Sequence, residues 1–224
     1  MKRMMALLLS LLILFSLAAC SAGGSKVTDE EAAAVAAALV QGKLDSLYLN
    51  RANADYMELA GLTEQERGWE YEINLDEQVG YFARTFSIAL TDDTTSSLAQ
   101  LWKSIYAEAG YTVGEVSPLE DGKTYAVHVE IRPLDIIQLI NDNLEEGLKP
   151  FTEQYGNPDL SSLSEAQAKL RTQCILDLAQ DLLPQMDYLD TETMAVLVTH
   201  NDDGSWTVSS TDIYTADEFI VYFP

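Results

Sequence analysis

Basic residues are scarce in this chain. Its 224 residues carry 13 Lys and Arg against 36 Asp and Glu, a formal net charge of −23. That balance leaves nothing from which to assemble a phosphate-neutralising surface, so nucleic acid is excluded as a partner. Adhesion of the folded surface to an anionic bilayer is disfavoured for the same reason. Cationic partners or metal cations remain compatible, and so does a well-solvated acidic surface with no partner at all. Histidine is scarcer still, with His128 and His200 alone. No His-x-x-x-His, His-Glu-x-x-His or Cys-x-x-Cys occurs, so a zinc site lacks a starting motif. Gly-x-Ser-x-Gly and a glycine-rich phosphate loop are missing too. No metal and no dissociable cofactor is expected.

Long apolar runs are also rare: one is present, at the start. Lys2 and Arg3 precede a run from Met4 to Ala19 interrupted only by Ser10 and Ser16. A basic stretch, a short apolar segment and small residues make a signal peptide, too short for a comfortable membrane span of about 20 residues. Its end, Leu17-Ala18-Ala19-Cys20, resembles the lipobox of bacterial lipoproteins. That resemblance implies cleavage before Cys20, diacylglycerol on the Cys20 thiol, and attachment to the extracytoplasmic face of a membrane. Residues 1–19 are thus assigned to the leader, and 20–27 to the lipidated cysteine and a small-residue tether reaching on the order of 15 Å. Without Lys2 and Arg3, 11 basic residues oppose 36 acidic ones, a net −25. With Cys20 acylated, Cys174 is alone and no intramolecular disulfide is available. Stability must come from a core, which about 200 residues suffice to build.

Thr28 with Glu31, and Thr63 with Glu66, are capping-box starts of two helices. The first is expected over Ala32–Leu47, followed by a short segment ending at Gly61. The second carries Trp69, Ile73, Val79, Phe82 and Phe86 as its apolar face. A third helix begins near Asp92-Asp93, with Leu98, Leu101, Trp102 and Ile105 as its stripe, and stops at Gly110. Then the period changes. Tyr125, Val127, Val129 and Ile131 alternate with Ala126, His128 and Glu130, the two-residue repeat of a half-buried strand. Tyr111–Val116 is its hairpin partner across Pro118 and Asp121-Gly122. A helix striped by Ile137, Ile140, Leu144 and Leu148 is broken at Pro150 and Gly156-Asn-Pro158. Another, capped by Ser162 and Glu165, presents Leu163, Ala166, Leu170, Cys174, Leu178 and Leu182. Met194–His200 and Trp206–Ser210 form a second hairpin across Asn201-Asp-Asp-Gly204, and Thr215–Pro224 adds a short helix or an edge strand.

Hairpins do not stand alone in water, so the two are expected in one antiparallel sheet with helices on one face. The fold class is α+β: a helical N-terminal portion followed by a curved sheet. Residues 28–224 are taken as one domain, with subdivision near 108–112 as the alternative. The strand ending Val127-His-Val-Glu-Ile-Arg-Pro-Leu-Asp135 and the closing Asp-Gly-Ser-Trp206 hairpin, together with the lipobox and helical front, resemble Gram-positive surface lipoproteins of unknown function. The resemblance implies a cystatin-like or NTF2-like curved sheet with a helix across it, and carries over no catalytic residue.

Four sets of residues are candidates for chemistry. His128 and Glu130 are same-face neighbours on a strand: either an acid–base pair inside a pocket or a solvated pair. Cys174, within an apolar stripe, reads as a buried structural thiol rather than a nucleophile. Asn201–Gly204 reads as a hairpin turn rather than a calcium loop. Tyr111, Tyr125, Trp206 and Tyr214 cluster around the strands and either line a ligand pocket or fill the core. The leading functional reading is a non-catalytic binding or interaction module, with an envelope protein or a small molecule as partner. The alternatives are an enzyme with His128 as base, which requires His128 to face a cavity, and the solute receptor of an importer, which requires two lobes with parallel strands.

Overall fold

The computed structural model describes residues 28–223; the leader, Cys20 and the tether lie outside them. The chain opens with α1 (Asp29–Leu49), α2 (Ala54–Ala60), α3 (Glu64–Thr85) and α4 (Asp92–Tyr106). A hairpin follows, β1 (Gly110–Pro118) and β2 (Thr124–Arg132), and then α5 (Ile136–Gly147), α6 (Lys149–Tyr155) and α7 (Glu165–Leu182). The second hairpin, β3 (Glu192–His200) and β4 (Trp206–Val208), leads directly into α8 (Ser210–Ile220). The fold is α+β, with one antiparallel sheet in the order β1-β2-β3-β4.

The helix starts obey local chemistry. Both expected capping boxes form: Thr28 with Glu31 and Thr63 with Glu66 each exchange side-chain and backbone hydrogen bonds. Each satisfies donors that a helix N-terminus otherwise leaves orphaned. Gly61 takes φ 64° at the end of α2, the left-handed conformation that a helix stop favours. Elsewhere the boundaries moved. The cap of α7 is Ser164, paired with Gln167, while Ser162 sits in the preceding 3-10 turn. The helical run breaks at Leu148, just before Pro150, which occupies the first turn of α6, where a missing N–H is tolerated. Helix α6 then stops at Gly156 as expected. The last helix starts at Ser210, five residues before the expected tail element, and Val221 then bridges to Leu134.

The sheet separates two environments. Tyr125, Val127, Val129 and Ile131 of β2, and Val196 and Val198 of β3, are buried on one face. Helix α1 crosses that face and packs on β1, β2 and β3, and α8 covers β2 and β3 beside it. A register shift between Val113 and Val116 interrupts the β1–β2 ladder, as a bulge does where a strand bends. The opposite face, which carries His128, Glu130, Thr193 and Ala195, is exposed. One buried cluster extends from Ala32 through Phe82, Trp102 and Val127 to Val221, with residues on both sides of 108–112.

Helix α3 differs most from its expected face. Trp69 and Ile73 are 58% and 59% exposed, whereas Tyr71, Asn74, Leu75, Gln78, Val79 and Phe82 turn inward. The inward set follows the i, i+3, i+4, i+7 spacing just as well, and it places two amides in the interior. In α7, Leu163, Ala166, Leu170 and Leu178 are not fully buried, and Arg171 takes the central inward position instead. Its Nη1 donates to the carbonyls of Phe86 and Ser87 at 2.6 and 3.1 Å, so a cation satisfies acceptors where α3 ends.

Candidate functional site

A groove of about 560 Å³ opens where α1, α2 and α3 meet β4 and α8. Each wall is a helical face. Helix α1 contributes Leu39, Lys43 and Leu47 at i, i+4, i+8, and α3 contributes Glu70, Ile73, Asn74 and Glu77 at i, i+3, i+4, i+7. Ile213, Tyr214 and Asp217 share one side of α8, Trp206 and Val208 come from β4, and Tyr56 rises from α2. Tyr56 reaches its place because residue 42 is glycine: a Cβ there would overlap the Tyr56 ring. The groove falls within the size range of ligand sites, and like them is chiefly apolar with a few convergent polar groups.

Those polar groups lie between α3 and α8. Asp217 accepts from Gln78 Nε2 at 2.5 Å and from the Tyr106 hydroxyl at 3.2 Å. The Tyr48 hydroxyl, buried and without a hydrogen-bond partner, lies close to the same carboxylate. Asn74 Nδ2 bonds the carbonyl of Leu47 at 3.2 Å and the Tyr106 hydroxyl at 3.4 Å. Burial pushes the Asp217 pKa up to about 6, against the lowering effect of its tyrosine and glutamine donors. Lys43, on the opposite wall, is held by Glu70 at 2.8 Å. At the rim the hydroxyls of Tyr81 and Tyr214 meet at 3.2 Å.

Of the four aromatic candidates, the fold brings two into this groove. Trp206 lines it, with its ring stacked on His200 at 4.4 Å, and Tyr214 stands at its mouth, 51% exposed. Tyr125 is buried behind Trp206, with ring centroids 5.9 Å apart. Tyr111 packs against Tyr48 and donates to Asp45 at 2.6 Å, away from the groove. His128 and Glu130 both stand on the exposed outer face of the sheet, and neither lines the groove. The reading of His128 as a base in a pocket therefore fails its own condition. Strand alternation puts His128 opposite the buried valines, and among the described residues no element covers that side. Cys174 is buried, and desolvation raises its thiol pKa. Asn201–Gly204 closes as a turn, with Gly204 N–H bonded to the Asn201 carbonyl at 3.0 Å.

The fold has a counterpart. A candidate lipoprotein of Bacillus subtilis, YcdA, superposes with a TM-score of 0.62 over 84% of this chain, at 12% sequence identity. The match spans 56% of the length of that protein. At such identity the likeness is one of fold. No family model matches the chain, and no curated protein matches it in sequence.

Sequence reading did not find Asp217, Asn74, Glu77 or Lys43. One signal was present. Asn74 and Gln78 interrupt the inward face of α3, and Asp217 interrupts the apolar series Ile213, Ala216, Ile220 of α8. A polar residue on a buried stripe needs a partner: Gln78 and Asp217 are each other's, and Asn74 finds the Leu47 carbonyl and the Tyr106 hydroxyl. A second cavity, about 280 Å³ around Leu134, Leu183, Met186 and Tyr188, contains one carboxylate residue, Glu108.

Proposed function

We propose that this chain is a lipid-anchored extracytoplasmic binding module whose groove between α1–α3 and β4–α8 takes a small, largely apolar ligand. The groove itself carries the reading, with its apolar walls, an aromatic pair from β4 and α8, and convergent polar groups. The Leu-Ala-Ala-Cys20 sequence and the lipoprotein description of the Bacillus subtilis protein of the same fold support the anchor. Among the described residues no helix is long and apolar enough to cross a membrane. Helix α1 across the inner face of the sheet supports a cystatin-like or NTF2-like classification. The importer-receptor alternative loses support, because the sheet is antiparallel where two parallel lobes were required.

Two measurements test this. Radiolabelled palmitate is expected to mark the wild-type chain in a bacterial host and to be lost with Cys20→Ser; equal labelling of both would remove the anchor. For the groove, equilibrium dialysis of the full chain in lipid nanodiscs against naphthalen-1-ylmethanol, with empty nanodiscs as the blank, is expected to show saturable binding. Ile73→Ala and Tyr214→Ala, both at exposed positions of the groove wall, should weaken it. Uptake no greater than that of empty nanodiscs would overturn the groove reading.

A further inference from the structure

Charge at the groove is one-sided. Its lining holds three carboxylates, Glu70, Glu77 and Asp217, and one cation, Lys43, already bonded to Glu70. The hydrogen-bond partners of Asp217 are both neutral, the Gln78 amide and the Tyr106 hydroxyl, and Glu77 adds like charge from α3. Among the described residues no lysine, arginine or histidine forms a salt bridge with it. A partly buried carboxylate without a counter-ion raises the free energy of the empty site, and a cation arriving there recovers it. The Tyr48 hydroxyl, 1% exposed and without a hydrogen-bond partner, lies near that carboxylate but outside the groove lining. The rest of the lining tells what such a cation must be attached to. Leu39, Leu47, Ile213 and Val208 contact apolar carbon, and the Trp206 and Tyr214 rings offer faces to a cation or to another ring.

We infer that the groove selects amphiphilic amines, an apolar or aromatic body seated on the walls with its ammonium directed to Asp217 and Glu77. This rests on the reading of the groove as a ligand site and adds the chemistry of the ligand. With its pKa near 6, Asp217 is ionised at pH 7.5 and available to accept from an ammonium. A charge-assisted hydrogen bond in such a setting is stronger than the neutral one it replaces.

The probe is naphthalen-1-ylmethylamine, compared with naphthalen-1-ylmethanol, which has the same shape and no charge. In equilibrium dialysis of the full chain in nanodiscs at pH 7.5, the amine should bind about tenfold more tightly than the alcohol. In Asp217→Asn the preference should disappear while alcohol binding persists, which shows that the groove is intact. Glu77→Gln, on the α3 wall, should reduce the preference without removing it. Equal affinity for amine and alcohol would overturn charge selection and leave the apolar groove standing. A preference undiminished in both variants would also overturn it, by assigning the selectivity elsewhere. Binding of neither probe would remove both readings together.

Discussion

Along β2, Tyr125, Val127, Val129 and Ile131 are sealed beneath α1 and α8, whereas His128 and Glu130, one residue away, stand in solvent. The strand contributes the same backbone hydrogen bonds to both sets. What differs is whether a helix lies over them. The inner face obtains its stability from apolar area removed from water. Among the described residues no helix lies over the outer face, and His128 and Glu130 stand exposed there. The groove lies instead at the edge of the covered side, where α8 leaves β4 and meets α1 and α3.

The largest test of that contrast removes inner-face volume. Ile131→Ala should destabilise the fold by about 2–5 kcal/mol in urea unfolding, while Leu197→Ala on the outer face, 37% exposed in the native chain, should change it by less than about 1 kcal/mol. Similar losses from both would mean that the outer face is covered in the native protein. Gly42→Ala should follow at about 1–3 kcal/mol, since a Cβ there displaces Tyr56. It should also reduce naphthalen-1-ylmethanol binding, because Tyr56 is part of the groove wall.

The groove carboxylate provides a test through pH. The Asp217 pKa is raised from 3.8 to about 6 in the folded state, so between these values the folded chain holds a proton that the unfolded chain has lost. Stability from this group is full below about pH 4 and declines as pH rises to about 6, by on the order of 1–2 kcal/mol. Asp217→Asn should flatten that decline; an unchanged slope in the variant would mean that the carboxylate is well solvated. Glu31 and Glu66 act in the opposite sense, their pKa values lowered by capping bonds to Thr28 and Thr63, and their contribution is lost as pH falls. Thr63→Ala, which removes one cap from the α3 wall, should cost about 1 kcal/mol. The smallest effect belongs to the outer face: His128→Ala should alter stability by no more than about 0.5 kcal/mol and leave naphthalen-1-ylmethanol binding unchanged.

The elements were readable where a short-range rule governs them. Two capping boxes, the alternation of β2 and the stripe of Leu98, Leu101, Trp102 and Ile105 each concern residues within about a turn of one another, and each forms as expected. The failures occurred where two local choices were equally good. The series Trp69, Ile73 and the series Tyr71, Leu75 lie on different sides of α3, and either could have faced inward by spacing alone. Packing against α1 and α4 decided for the second. Ser162 was expected to cap α7, and the observed bonds place the cap at Ser164, paired with Gln167.

By itself, then, the sequence determined the α+β class, the strand pairing through alternating side chains, and the strongly acidic charge balance. These depend on composition and on contacts between near neighbours. Only the tertiary structure decided which side of the sheet is covered, and therefore that Trp206 and Tyr214 reach a groove while Tyr111, Tyr125 and His128 do not. It alone brought Asp217 to Gln78, 139 residues earlier in the chain. The reason is physical: a side chain's role depends on the dielectric and the partners around it, and those are supplied by helices that the local sequence does not contain.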